Sequence, residues 1–300
     1  MIPPKQSVYG MEISMIIAGN DKDLVVENIK NAANSRQFYN KVEVNDPNIS
    51  EETKKKLIEK YLNEHDTVKY KLKCWSACRM VDVATGIVNK KSRIIGQENI
   101  KGVTGGAIIT SNHFNPLDSY NVRKIVEVKL HKKLYIVVQD TNLAMPGFLG
   151  FLFNNIEIIP LSKSPNYIIK KFIPELKKIL SKGDFVLIYP EEEMWFNYRL
   201  PRPCKRGAYQ FAHELDVPII SCFVKMIDTN ITDNDEFNKV KYEVSIIKVI
   251  YPEVNESIRS DSKKMAEVDY EARKKAYEDA YNKKLNYEFD ISDIAGWKDI

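Results

Sequence analysis

The feature that most constrains this chain is a series of short, continuously apolar runs rich in β-branched residues, each separated from the next by a stretch of helical periodicity. AIIT at 107–110, LYIVV at 134–138, FVLIY at 185–189 and PIISCFV at 218–224 carry almost no polar alternation. Strands of that kind are covered on both faces. Their alternation with helices predicts an α/β fold with a largely parallel central sheet flanked by helices. Strands are expected at 93–95, 107–111, 134–138, 156–159, 185–189, 219–224 and 240–250. Helices are expected at 118–131, 165–182 and 205–215, with Pro174 kinking or splitting the second of them. A long charged tail helix, 260–285, should bury Met265, Val268, Ala272 and Tyr281.

The pattern changes near residue 90. Residues 1–90 are polar, favour helix and carry few strand signals, so the chain divides into a helical N-terminal region, 1–90, and an α/β domain, 91–300. SEETKKKLIEKYLNEHD opens with Ser50 as N-cap, places Glu51 and Glu52 in the first turn and repeats apolar residues at Leu57, Ile58, Tyr61 and Leu62; this is a helix signature. Further helices are expected at 24–38 and 71–89.

Composition narrows the possible partners. A hydrophobic fraction of 44% over 300 residues is enough for a sizeable core. The net charge of +4 is compatible with a phosphate or a membrane surface but far too weak to indicate nucleic acid. The four cysteines make no disulfide scaffold and no C-x-x-C: Cys74 and Cys78 lie four apart on an expected helix, and Cys204 and Cys222 are isolated. Reduced thiols and no metal site are expected. The N-terminal residues do not resemble a secretory leader, and the longest apolar run, AMPGFLGFLF, is half the length that crosses a bilayer. A cytoplasmic protein with at most peripheral membrane contact, at the cytoplasmic face, is the expectation.

The chemistry gathers around TSNHFNPLDSY, residues 110–120. His113 follows a strand, at the end where open α/β sheets place their ligands. Asn115-Pro116 turns the chain, and Asp118 falls in the first turn of the next helix. A carboxylate on Nδ1 fixes the imidazole tautomer and leaves Nε2 to take a proton from a hydroxyl. The alternative is two independent caps, one of the strand and one of the helix.

NHFNPLD resembles the N-H-x-x-x-x-D block of the glycerolipid acyltransferase family, whose best-known member acylates 1-acylglycerol-3-phosphate. Three further blocks follow in the family's order. GFLGFLFNNIEIIPL is similar to the second, VLIYPEEEMWFNYRLPRPCKRGAYQFA to the third and DVPIISCFV to the fourth, together spanning residues 107–224. The resemblance implies a glycerol-3-phosphate acyltransferase-like fold and O-acyl transfer without a covalent enzyme intermediate. His113 would act as base, and Asp118 would orient it. Acyl-CoA or acyl carrier protein would be the thioester co-substrate, with no cofactor or metal; no G-x-S-x-G nucleophile motif is present. It also implies a lysophosphatidic acid-like acceptor and a part in phospholipid synthesis. On the acceptor side Asn112, Glu191 and Lys205 match the family's blocks, and Arg206 and Arg199 are expected beside them as substitute cations. Phe148, Leu149 and Phe151, with Phe153, are the expected acyl-chain wall.

The chain departs from the family pattern at two places. Pro160 stands where the second block usually ends in arginine. Glu192, Glu193 and Met194 replace the glycine, threonine and arginine of the common F-P-E-G-T-R form. Those arginines hold the acceptor's phosphate in the family. Arg199, Arg202, Lys205, Arg206 and Lys163 are nearby cations that offer a replacement, and the extra carboxylates suit a glycolipid or polyol head group instead. A catalytically silent lipid-binding protein is a further alternative.

Overall fold

The computed structural model describes residues 21–44, 47–88 and 93–298. Three helices come first: α1 (Lys22–Asn34), α2 (Glu51–Glu64) and α3 (Val68–Val88). Ser50 caps α2 as its sequence predicts, its hydroxyl accepting from the Thr53 amide at 3.2 Å. Seven strands follow: β1 (Arg93–Ile95), β2 (Ala107–Thr110), β3 (Leu134–Gln139), β4 (Ile158–Leu161), β5 (Phe185–Ile188), β6 (Ile219–Thr232) and β7 (Asn238–Ile250). They form one sheet in the order β1-β7-β6-β2-β5-β3-β4, parallel throughout except for the β6–β7 hairpin. The expected α/β architecture with a mostly parallel sheet is therefore present.

Helices cover both faces. On one side α2, α3, α4 (Ser119–Arg123) and α5 (Gly147–Asn155) pack Ile58, Ala77, Tyr120, Val122 and Leu152 against β2, β3 and β5. On the other side lie α6 (residues 165–180), α7 (Gly207–Leu215) and α8 (Ile258–Tyr281), which bring Leu176, Tyr209 and Met265 onto Ile108, Val186 and Ile219. A third cluster joins α1 to residues 195–200 and the C-terminal segment. The described N-terminal helices thus share the core of the α/β domain. Tyr61 of α2 donates to the Ile158 carbonyl of β4 at 2.7 Å, and Trp195 Nε1 donates to the Asn40 carbonyl at 3.0 Å.

One expectation needs correcting. The tail helix turns a different side inward: Val268 is exposed and Ala272 only half-buried, whereas Asp261, Met265, Asp269, Arg273 and Tyr277 are buried. Its charged residues are inside because they have ionic partners there, described below. Pro174 splits α6 as expected: a π-type turn at Ile168–Phe172 interrupts the helix just before it, and the α-helix resumes as Ile173–Leu180 with the proline in its first turn. There the absent N–H leaves no helical bond unmade.

Candidate active site

The topology brings the chemistry together. β2 lies between β6 and β5, in register from Ala107 with Phe185 to Thr110 with Ile188. Residues 111–113 and 189–191 therefore leave the sheet side by side at its carboxyl edge, where ligands of open α/β sheets are held.

Asn112 anchors the exit of β2. Its Oδ1 accepts from the Val224 amide at 2.8 Å and its Nδ2 donates to the Val224 carbonyl at 3.0 Å. Both ends of its amide are occupied, so it holds β2 to β6 rather than facing a substrate. Asn115 then makes the turn: its Oδ1 accepts from the Leu117 amide at 2.8 Å, and its carbonyl accepts from the Asp118 amide at 3.2 Å. The turn folds Asp118 back onto the imidazole.

Asp118 Oδ2 accepts from His113 Nδ1 at 2.7 Å and from the amides of Phe114 and Asn115 at 2.9 and 3.4 Å. Its Oδ1 accepts from the Tyr189 hydroxyl at 2.5 Å. The Tyr189 ring also stacks on the imidazole, with centroids 4.0 Å apart and planes 13° from parallel. Burial pushes the Tyr189 phenol well up, helped by the Asp118 charge and the hydrogen bond to it, so the hydroxyl stays a donor. With Nδ1 facing a carboxylate, Nε2 is the free lone pair. The Asp118 side chain is 3% exposed and that of His113 is 21% exposed. A second pair, His213 and Asp261, repeats the 2.7 Å contact with the histidine only 8% exposed. That ring is sealed between α7 and α8, and accessibility separates the two pairs.

The loop after β5 forms the adjoining wall. The Trp195 amide donates to the His113 carbonyl at 3.2 Å and the Asn197 amide to the Phe114 carbonyl at 2.7 Å. Glu192 has φ of 63°, the left-handed conformation that suits the glycine of the family's usual block. Glu191 is buried among cations. Its Oε2 lies 3.1 Å from Arg202 Nη2, and its Oε1 is 3.2 Å from Arg273 Nη1. It was expected to bond acceptor hydroxyls; its oxygens are instead committed to the protein. Arg202 also lies over the Trp195 ring at 4.5 Å and donates to the carbonyls of Phe38 and Glu193. Burial depresses the guanidinium of Arg202, and Glu191 opposes that shift.

The remaining expected cations divide. Arg199 is tied to the Ser292 carbonyl at 2.7 Å and to Asp228, and is turned toward the C-terminal segment. Lys205, held at its backbone by the Pro190 carbonyl, has an exposed head 3.8 Å from Glu192 and 4.1 Å from the Tyr39 ring. Arg206 is exposed at the start of α7, and Lys163 is exposed after β4. Gln139, at the end of β3, donates to Glu193 at 3.2 Å. The polar rim thus comprises the exposed Gln139, Glu192, Lys205 and Arg206 with the half-buried Glu193.

Of the expected acyl wall, Phe151 is 37% exposed on α5. The side chains of Phe148, Leu149 and Phe153 lie outside the described residues. Gly150 has no room for a side chain: a Cβ there would fall 1.7 Å from the Met145 carbonyl oxygen, so this glycine lets α5 close on the preceding turn. Two surface hollows, of about 610 and 460 Å³, lie elsewhere, one between β7 and α8 and one at the opposite edge of the sheet. Neither includes His113. His113 is the candidate proton acceptor because its ring is aligned by Asp118, and neither hollow contains such a ring.

Residues 91–225 match the family model described as Acyltransferase. Over this stretch, a little under half of its length, the chain is similar to the acyltransferase family. Among solved structures it is similar to "the 1-acyl-sn-glycerophosphate (LPA) acyltransferase, PlsC, from Thermotoga maritima", at 14% identity and a TM-score of 0.47, over 92% of this chain and 100% of that one. No curated protein matches. Sequence reasoning missed one residue at the candidate site. Tyr189 was read as the last residue of an apolar strand, and the available signal was a tyrosine where the family's third block begins with phenylalanine.

Proposed function

We propose that this acyltransferase moves a fatty acyl group from a thioester donor, acyl-CoA or acyl carrier protein, to a hydroxyl of a lysophosphatidic acid-like glycerolipid. The observation that carries the reading is the His113–Asp118 pair, 2.7 Å apart at the carboxyl edge of the sheet with Nε2 left free. In the reaction His113 Nε2 takes the acceptor's hydroxyl proton as that oxygen attacks the thioester carbonyl. Collapse of the tetrahedral adduct breaks the C–S bond. The imidazolium returns its proton to the departing thiolate, and the ester remains. Asp118 offsets the transient positive charge and fixes the ring, while Tyr189 holds Asp118. General base catalysis of this kind contributes about 10²–10⁴ in rate.

Two features bear on the acceptor. The exposed heads of Lys205 and Arg206 favour an anionic group, whereas Glu192 and Glu193 at the same rim favour a glycolipid or polyol bearing many hydroxyls. The lysophosphatidic acid-like acceptor is our first choice, because phosphate is the more strongly held by paired cations.

A lipid acceptor brings the enzyme to a membrane, and α3 supports a peripheral contact. Val68, Leu72, Trp75, Met80 and Val83 are exposed along it, with Trp75 64% exposed, and Lys69, Lys71, Lys73 and Arg79 are exposed on the same helix. An apolar row with interspersed cations lies in the interface of an anionic bilayer. No described helix is long and apolar enough to cross a membrane. A thioester donor made in the cytoplasm would put this contact on the cytoplasmic face.

The test is transfer of radiolabelled acyl groups from acyl-CoA and from acyl carrier protein to lysophosphatidic acid, lysoglycolipids and polyols, with His113→Ala alongside. Transfer abolished by the substitution supports the base. Transfer that survives it refutes the mechanism, and lipid binding without transfer identifies a silent lipid binder.

A further inference from the structure

Away from the acyltransferase site, α3 and β4 meet at a cluster with no part in that chemistry. Cys74 and Cys78 occupy successive turns of α3, their sulfurs 4.0 Å apart. Cys78 Sγ lies 2.7 Å from Oε2 of Glu157, the residue preceding β4. The three donor atoms all fall within 4.8 Å of one another. Two thiolates about 2.3 Å from a tetrahedral zinc stand roughly 3.8 Å apart, close to the spacing seen here. A disulfide fits poorly: side chains at i and i+4 of a helix have Cβ atoms about 5–6 Å apart, and a disulfide needs roughly 3.5–4.5 Å.

Charge balance favours a divalent ion. Two thiolates and a carboxylate carry three negative charges, a divalent cation leaves one, and the Arg123 guanidinium, 3.4 Å from Glu157 Oε2 and 1% exposed, supplies the compensating positive charge. Cys78 is buried and Cys74 half-buried, so one side of the cluster opens toward solvent. That side provides an entry path and leaves the fourth position to water.

We propose that Cys74, Cys78 and Glu157 bind a single borderline-soft divalent cation of the zinc class. Two S–H bonds break, two metal–sulfur bonds form, and two protons pass to the buffer. The ion joins α3 to the start of β4. Such a joint has a mechanical use, because Ala77 and Cys78 are the only hydrophobic side chains buried among those described on α3. Apolar packing by the described side chains alone gives this helix little to hold it, and a metal bridge would fix the position of its exposed apolar row.

The experiment uses the full chain, reduced, stripped with a chelator and titrated with Zn²⁺ and then with Co²⁺. Expected are one equivalent bound per chain, two protons released per ion, a thiolate-to-cobalt charge-transfer band and a higher unfolding temperature with zinc. Cys74→Ala, at the half-buried position, should abolish the band and weaken binding roughly a hundred-fold while the metal-free protein keeps its circular dichroism. Glu157→Gln should weaken binding about ten-fold. No saturable uptake at micromolar zinc overturns the proposal. So does uptake unaltered in Cys74→Ala, which marks adventitious surface binding, or full reactivity of both thiols toward a thiol reagent with zinc present. None of these readouts depends on acyl transfer.

Discussion

Replacing Asp118 with asparagine removes a charge while leaving most of the geometry standing. The side-chain amide oxygen of the variant would still accept from His113 Nδ1 and from the amides of Phe114 and Asn115, which bond to Oδ2 of the carboxylate at 2.7, 2.9 and 3.4 Å. The new amide nitrogen would face the Tyr189 hydroxyl, which turns its oxygen to accept. Stability should therefore fall by no more than about 1–2 kcal/mol. Activity should fall much further. With charge centres about 4 Å apart and an effective dielectric near 20, the carboxylate and a forming imidazolium attract by about 4 kcal/mol. At 1.36 kcal/mol per decade that is roughly a thousand-fold in kcat, with KM little changed because the charge develops only in the transition state. The assay is thiol release from acyl-CoA with a saturating acceptor, with circular dichroism and thermal unfolding as controls. A double variant, His113→Ala with Asp118→Asn, should be no slower than His113→Ala alone, since Asp118 works through the ring. A loss under about ten-fold in folded Asp118→Asn, or losses that add in the double variant, would refute the pairing as the source of catalysis.

Other substitutions probe the supports of the site. Tyr189→Phe keeps the stacked ring and deletes the hydroxyl 2.5 Å from Asp118; kcat should drop about ten-fold with KM unchanged, and a loss confined to KM would show a substrate contact instead. Glu192→Gly relieves a left-handed residue at φ 63° and gives up only an exposed contact to Lys205, so thermal unfolding should show a gain of up to about 1 kcal/mol; destabilisation would contradict the strain. Leu72→Glu with Trp75→Glu, both exposed on α3, should cut co-sedimentation with anionic vesicles by ten-fold or more while transfer to a monomeric short-chain acceptor persists. Arg273→Met leaves the buried Asp269 without its cation and removes one of the two cations on Glu191, and should cost about 3–5 kcal/mol in denaturant unfolding; a cost under about 1 kcal/mol would show that the ions are not coupled to folding.

Some elements were legible because their signal is local. AIIT, LYIVV and FVLIY declare buried strands within a few residues, and every expected strand is present within a few residues at each end, β6 alone running well past its apolar start into a long hairpin with β7. His113 and Asp118 were legible for the same reason: five residues and one Asn-Pro turn set their geometry. Glu191 was not. Its partners Arg202 and Arg273 lie 11 and 82 residues away, and nothing local tells a carboxylate facing a substrate from one facing an arginine of a later helix. The buried side of α8 was misjudged for a related reason. Periodicity counts Val268 as core and Asp269 as surface, yet Asp269 is fully buried because Thr110, Tyr209 and Ser221 donate to it at 2.6, 2.5 and 2.5 Å.

Those partners explain why the chain keeps an acid after Pro190 while the next three positions, Glu192, Glu193 and Met194, depart from the family's block. Glu191, Arg202, Arg273 and Asp269 form a closed set of two acids and two bases, each side chain 2% exposed or less. Through Thr110, Ser221 and Tyr209 the set reaches β2, β6 and α7, and Thr110 stands three residues before His113. A buried ionic set contributes little net stability against a well-packed apolar one, yet losing any single member leaves a charge unpaired. Glu191 is therefore constrained by architecture: it fixes the strand exits from which His113 and Tyr189 emerge. Glu192, Glu193, Lys205 and Arg206 carry no such burden on the rim. If the proposed mechanism holds, variation in acceptor preference should fall on the rim, while the position of His113 is set by buried charges away from it.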